Sequence, residues 1–256
     1  MKFQILSYYI NFTDLQIMNE FEKSNWNKAD YSQKYLDEVD IYIPERENLL
    51  RILTSFYRKF IMSDKKKRIL DLGCGNGILS KTLYNQNSNL EIIVTDGSKD
   101  MLNEAKKELD GMPVLEFRQI SFEEIIQGKF EGGLFDFIVS SFAIHHILFS
   151  QKKKLFKKIF ELMNLNAYFI NIDVVESNFE NYNNWYFDLW KEGIIKRQKS
   201  LNIDKSFEQV PEEARKKPEN HYDTLEAQLD VLKAIGFSAV ECHYKCGVFA
   251  IYGGKK

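Results

Sequence analysis

An α/β fold with a doubly wound, seven-stranded, mostly parallel sheet is the class this sequence predicts, and three observations predict it. Short apolar runs alternate with segments of helical spacing through most of the 256 residues, the pattern of parallel strands joined by crossover helices. The first run, Arg68-Ile-Leu-Asp71, passes into glycines at alternate positions, Gly73, Gly75 and Gly77, before the apolar spacing lengthens to that of a helix. The second, Leu90-Glu-Ile-Ile-Val-Thr-Asp96, ends like the first in an acid.

Residues 1–43 are rich in Asn, Tyr and Phe, and Trp26, Tyr31, Tyr35 and Tyr42 stand among polar residues without one clean period. The expectation there is a mobile arm or cap with short helices. Pro44 suits a first helical position, and Leu49, Leu50, Leu53, Phe56, Phe60 and Ile61 recur at helical spacing up to the solvated run Lys65-Lys66-Lys67-Arg68. Beyond the second strand, Ser98 can cap a helix carrying Met101, Leu102, Ala105 and Leu109. Further strands are expected at Pro113 to Arg118, Gly133 to Ser140 and Ala167 to Val175. Between the last two, Leu155, Phe156, Ile159, Phe160 and Met163 share one helical face from Gln151 to Met163. The opposite side, Lys152, Lys153, Lys154, Lys157 and Lys158, reads as a solvated face, the alternative being a track for phosphates.

The pattern breaks over 176–222, where an aromatic cluster (Trp185, Tyr186, Phe187, Trp190), a basic run, Pro211 and Pro218 predict a largely helical insertion over the ligand edge of the sheet. Asp223-Thr-Leu-Glu226 fits a capping box for a helix with Leu225, Leu229 and Leu232 on one face and Gly236 at its end. Ala239 to Tyr244 and Gly247 to Tyr252 then make a closing antiparallel hairpin. The expected division is a cap over 1–43 and a main domain over 44–256 that includes the lid-like insertion 176–222.

With 44% hydrophobic and 28% charged residues the chain has material for one large core. A net charge of -2 and a pI near 6.2 give no global reason to expect nucleic acid or an anionic membrane as partner. No run approaches the roughly 20 apolar residues of a membrane span, and Met1 to Ile10 shows no small-residue cleavage site. The three cysteines, Cys74, Cys242 and Cys246, are too few and odd in number for a disulfide framework, so a reducing, cytoplasmic location is expected. Cys242 and Cys246 would share a strand face about 13 Å apart at ~3.3 Å per residue, too far for one zinc ion. No metal site is expected.

The glycine turn and Asp96 should lie side by side at the carboxyl edge of the sheet, where such folds bind ligands. Alternate glycines let a ligand approach the main chain and the following helix offers free N–H groups; a tight turn with no ligand is the alternative. An acid at the end of the second strand can accept both hydroxyls of a ribose. The spacing is G-x-G-x-G, with Ile78 where a G-x-G-x-x-G fingerprint has its third glycine, so nicotinamide binding is disfavoured.

On these residues the sequence resembles the class I S-adenosylmethionine-dependent methyltransferases, from about Tyr31 onward. Asp71-Leu-Gly-Cys-Gly-Asn-Gly77 is similar to their first motif, Asp96-Gly97-Ser98 with Met101 to their second, and Phe135-Asp-Phe-Ile-Val-Ser140 to their fourth strand. The closing helix and hairpin are similar to a small-molecule-like branch. The resemblance implies strand order 3-2-1-4-5-7-6 and S-adenosylmethionine as cofactor. It places Gly73, Gly75 and Gly77 on the methionine portion with Asp71 near the ammonium, Asp96 on the ribose and Met101 against the adenine. Cys74, Gly97, Ser98 and Ser140 join the cofactor set through the same motifs. Where many relatives carry an acid for the adenine amino group, this chain has Ser121 followed by Phe122, and a hydroxyl accepts more weakly than a carboxylate. Tyr31, Tyr35 and Arg46 lie where similar proteins close the cap over the methionine portion; ordinary cap packing is the alternative.

After the fourth strand the chain reads Ser140-Ser-Phe-Ala-Ile-His-His146, without the Asn/Asp-Pro-Pro-Tyr signature of amide and nucleobase-amine methyltransferases. Methyl transfer from a sulfonium is an in-line displacement that needs alignment and a dry pocket. A hydroxyl acceptor is helped by a base, and His145 or His146 stands at the right strand end with an unperturbed pKa of about 6.5; packing at a helix start is the alternative. Trp185, Tyr186 and Trp190 either floor a substrate pocket or bury the insertion. The function expected is methyl transfer to a small-molecule O, N or S nucleophile. The alternatives are a tRNA wobble-uridine modifier of the carboxy-S-adenosylmethionine type, for which the glycine turn offers no special basic residue, and a non-catalytic S-adenosylmethionine-binding module.

Overall fold

Alternate residues of each strand serve two different apolar layers, which is why the strands read as continuous apolar runs. Ile69, Ile92, Val94, Val139 and Ile170 belong to one core with Leu49, Leu53 and Tyr57. Leu70, Leu72, Ile93, Ile138 and Phe169 belong to the other with Leu155, Phe156 and Ile159. A sheet buried on both faces needs helices on both. The protein, a computed structural model, is described over residues 20–256; the start of the chain and the first part of the expected cap, residues 1–19, lie outside the described residues.

Seven strands, β1 (Lys67–Leu72), β2 (Leu90–Asp96), β3 (Val114–Gln119), β4 (Phe135–Ser141), β5 (Met163–Val174), β6 (Ser238–Cys246) and β7 (Phe249–Lys255), form one sheet. Their order is β3-β2-β1-β4-β5-β7-β6. β1 to β5 run parallel, while β7 is antiparallel to β5 and β6. The doubly wound, mostly parallel sheet and its expected order are therefore both present. The chain winds outward in opposite directions from β1 and β4, which opens a crevice at their carboxyl ends.

Several local expectations change. The cap has two short helical pieces as expected, Glu20–Lys23 and Asn25–Asn27, but Ala29–Tyr42 forms one helix of 14 residues. Pro44 ends that helix instead of opening the next: Ile43 before it has left the helical region, at φ -117° and ψ 80°, and the second helix starts at Arg46. That helix buries Leu49, Leu53 and Tyr57 while Phe60 is exposed. The helix after β4 stops at Leu162, and Met163 opens β5 against Phe135.

The largest change concerns Lys152, which is not on a solvated face. It is 1% exposed and its Nζ is paired with the Asp223 carboxylate and the His221 carbonyl. Asp223 therefore does not cap the following helix; Thr224 does, accepting from the Ala227 N–H at 3.2 Å. Among the described residues no helix is long and apolar enough to cross a membrane, and no group of His, Cys, Asp or Glu could hold a metal ion.

Candidate functional site

The loop leaving β1 enters the crevice in the left-handed region, with φ +63° at Gly73 and +54° at Gly75. A Cβ on Gly73 would stand 2.5 Å from the Cβ of Ala143, so the loops after β1 and β4 pack backbone to backbone. A Cβ on Gly75 would meet nothing within 4 Å. Gly75 thus presents bare main chain to open space, as a backbone cradle for a ligand must. Gly77 begins the Ile78–Tyr84 helix at φ 80° and lies against Leu109.

That open space is a cavity of about 490 Å³, within the range of small-molecule sites. Asp96 lines it, with Oδ2 accepting from the Gly75 N–H at 2.9 Å and Oδ1 from the Ser98 N–H at 2.8 Å. Burial raises its pKa to about 6 against the pull of those two N–H groups. Asp71 is fully buried at the end of β1 and does not line the cavity, its Oδ2 accepting from Ser80 Oγ at 2.7 Å and from Ser80 N at 3.2 Å. Its Oδ1 is buried without a partner, and burial pushes the group to about 7. Cys74, Gly97, Met101 and Phe122 also line the cavity, and burial holds the Cys74 thiol well above its usual pKa. Asp96→Ala removes the carboxylate from this wall. It is expected to weaken S-adenosylmethionine binding by about 1–3 kcal/mol, the scale of lost hydrogen bonds to a charged acceptor; calorimetry reads it, and an unchanged affinity would misplace the ribose.

Three expected hydroxyl contacts are engaged with backbone. Ser98 caps the Lys99–Glu108 helix, accepting from the Met101 N–H at 3.3 Å. Ser140 Oγ donates to the Leu72 carbonyl at 2.7 Å, tying β4 to β1. Ser121 forms a capping box with Glu124 while lining the cavity. The buried acid Glu123 lines it too, two residues beyond the position where an acid was sought.

The N-terminal segment forms the roof. The Phe21 ring lies where a Cβ on Gly97 would be, 2.6 Å from it. Trp26 stands edge-on to Tyr31 at 5.0 Å and to Tyr35 at 5.1 Å, and is 5.2 Å from the His146 ring. Tyr35 and Arg46 line the cavity. Burial raises the Tyr35 pKa to about 12 against the charge of Arg46, and Arg46 is paired with Asp40.

After β4, Phe142 takes φ +49°, a costly conformation for a bulky residue of the kind that clusters at functional sites. It leads into the Ile144–His146 turn. His145 is buried with Nδ1 2.5 Å from Asp173 Oδ1. His146 Nδ1 lies 3.3 Å from the Glu219 carbonyl, and its buried Nε2 makes no hydrogen bond. Burial and the charge of His145 hold the His146 pKa well below its ordinary value, against the smaller pull of Glu219 and Asn220. His146 lines both the large cavity and a smaller one of about 180 Å³. Tyr31, His145 and Trp190 face this second space. Trp190 also donates Nε1–H to the Tyr42 carbonyl at 2.7 Å. Trp185 is exposed, Tyr186 packs under Lys245, and neither lines either cavity.

The insertion expected over the ligand edge brings its last residues to the site, but the sequence singles out none of Lys217, Glu219, His221 and Tyr222. Glu219 Oε1 accepts from Asn25 Nδ2 at 2.6 Å, and the His221 N–H donates to the His145 carbonyl at 2.8 Å. Both residues line the larger cavity, so two of the four histidines, His146 and His221, meet there, while His145 lines the smaller one. No spacing signals this, because the segment is irregular and reaches the site through Lys152. Trp26 and Glu123 were missed for another reason: the sequence gives neither a periodicity that orients it.

Comparison with known proteins follows the same line. Residues 63–226 match the family described as methyltransferase domain. Over 78 residues the chain is 32% identical to a malonyl-[acyl-carrier protein] O-methyltransferase of Halalkalibacterium halodurans, a span of 30% of this chain and 29% of that protein. Over 103 residues it is 28% identical to an uncharacterised methyltransferase of Oceanobacillus iheyensis, covering 40% and 45%. These matches thus span less than half of either relative. Among solved structures, an O-methyltransferase family protein from Burkholderia thailandensis aligns with TM-score 0.61 at 12% identity, over 97% of this chain and 70% of that one. PigF with SAH aligns at 0.55 and 15% identity, over 90% and 60%; at such identities the likeness is one of fold. The family match covers more than half of the 256 residues, and the chain therefore belongs to the methyltransferase-domain family, whose cofactor is S-adenosylmethionine.

Proposed function

We propose that this protein transfers the methyl group of S-adenosylmethionine to a small molecule held beside His146, and that a hydroxyl is the acceptor it suits best. The observation that carries this reading is the shared wall of two neighbouring cavities: the glycine turn and Asp96 line the larger, the aromatic pocket is the smaller, and His146 lines both.

The residues suit the cofactor. Gly75 leaves a main-chain face open, Asp96 brings a carboxylate for the ribose, and Asp71, which does not itself line the cavity, holds an unpaired buried oxygen two residues before Gly73. Met101, Phe122 and Glu123 would take the adenine. Bound there, S-adenosylmethionine supplies an electrophilic methyl group on a sulfonium. Phe21, Trp26 and Tyr35 exclude water from above. His146, neutral and with Nε2 unengaged, accepts the proton of the attacking hydroxyl. The N-terminal segment, with Tyr31 and Arg46, and the insertion 176–222 serve as cap and lid.

Protonation should report the cofactor's charge. Asp71 and Asp96 are raised to about 7 and about 6 in the free protein. Each therefore favours the folded state most below its unfolded pKa and loses that contribution as pH rises through the raised value. A cationic ligand favours the carboxylates, so affinity for S-adenosylmethionine should rise with pH from about 5 to about 7 and then level. Calorimetry in buffers of different ionisation enthalpy should show proton release near pH 6.5, within the window set by those two values; a flat profile would remove Asp71 from the site.

A labelled-methyl screen of metabolite extract, with tRNA in parallel, tests the function. Transfer to a small molecule supports it. A folded protein that binds neither S-adenosylmethionine nor its demethylated product, or transfer to tRNA alone, would overturn it.

A further inference from the structure

The smaller cavity is walled by Trp26, Tyr31, Tyr35, Tyr42, Trp190 and Tyr222 and encloses about 180 Å³. A space of that order holds one six-membered ring with small substituents, since a cavity of about 150 Å³ takes up benzene. The walls are set edge to face, with Trp26 5.0 Å from Tyr31 and 5.1 Å from Tyr35. Such walls offer a planar guest both ring faces and ring edges.

Charge decides which ring. Lys217 lines the cavity half-buried, its Nζ 2.6 Å from the Tyr31 hydroxyl and 5.0 Å from the centre of that ring. Among the described residues Lys217 forms no ion pair. Lys34 and Glu213 are exposed lining residues of opposite charge and offset each other. Asp173, the acid beside the cavity, is engaged by His145. A cationic guest would meet an ammonium already seated over Tyr31, whereas an anionic guest supplies the partner that ammonium lacks.

His146 also lines this cavity, near enough to Lys217 that the lysine's charge depresses its pKa. A weakly basic imidazole suits an acidic hydroxyl, a phenol rather than an alkanol, because proton transfer is most effective between groups of matched pKa.

Building on the methyl-transfer reading above, we propose that the side cavity binds a single-ring phenol bearing an acidic group, with its hydroxyl at His146 and its acid at Lys217. The phenolic oxygen yields its proton to His146 Nε2 and forms the new O–CH3 bond. The S–CH3 bond breaks with its electron pair left on sulfur, giving neutral S-adenosylhomocysteine, and His146 returns the proton to water.

The test is calorimetry of 2-, 3- and 4-hydroxybenzoate and the matching hydroxybenzamides on protein saturated with S-adenosylhomocysteine. At least one benzoate should bind about tenfold or more tighter than its amide, the difference expected for a charge-assisted contact. Lys217→Met should abolish that preference and Lys217→Arg should keep it, with thermal melts confirming that both variants fold. The proposal is overturned if S-adenosylhomocysteine binds but no benzoate does, if benzoate and amide bind alike, or if Lys217→Met leaves the preference intact; the methyl-transfer reading survives all three. Failure of S-adenosylhomocysteine itself to bind overturns both.

Discussion

Replacing His146 with alanine is expected to lower the turnover number by about 10²- to 10⁴-fold, the span for a positioned general base. The Glu219 carbonyl 3.3 Å from Nδ1 favours the tautomer with its proton there, which leaves the lone pair on the unpartnered Nε2. Because the His146 pKa is held well below its ordinary value, the base is already neutral at pH 7 and the wild-type rate should not climb further above it. Single-turnover rates separate the chemical step from binding, and His146→Gln should be nearly as slow as the alanine variant. A loss of less than about fivefold would mean that the acceptor arrives without a proton to remove, as a thiolate or an amine would.

Asp223→Ala should destabilise the fold by about 3 to 5 kcal/mol, the cost of leaving one member of a buried ion pair alone. Lys152 is 1% exposed in that pair and Asp223 keeps 21% of its side chain in solvent, which places the loss toward the lower end. Urea unfolding at pH 7 measures it. Pairing Lys152→Met with Asp223→Ala should recover much of the loss, because two apolar side chains replace two desolvated charges. The single variant should also loosen the site, since Lys152 holds the His221 carbonyl and so the segment carrying Glu219 and Asn220. A loss under about 1 kcal/mol would show that the ammonium finds another partner. Glu176 is the group to watch, since Lys152 already lowers its pKa against the larger effect of burial.

The cofactor half of the site was legible because its signals are local. Positive φ at Gly73 and Gly75 needs glycine, and a strand that ends in Asp96 carries that acid to the carboxyl edge wherever the strand lies. Residues such as Ser98, Ser121 and Ser140 show the limit of motif reading, for their hydroxyls are engaged with backbone. Trp185 and Trp190 are five positions apart on one helix, yet Trp185 is exposed and Trp190 is buried against Phe249. The helix period alone could not say which side meets the sheet.

The sequence by itself determined the alternating strands and the glycine turn, because each follows from spacing within a few residues, and its resemblance to a known family implied the strand order and the cofactor class. Only the tertiary structure decided that Trp26, His146, Lys217 and Tyr222 share one cavity. These residues come from three segments distant in sequence, the N-terminal roof, the loop after β4 and the end of the insertion. Their meeting depends on long-range packing and on the buried Lys152–Asp223 pair, which no local period encodes.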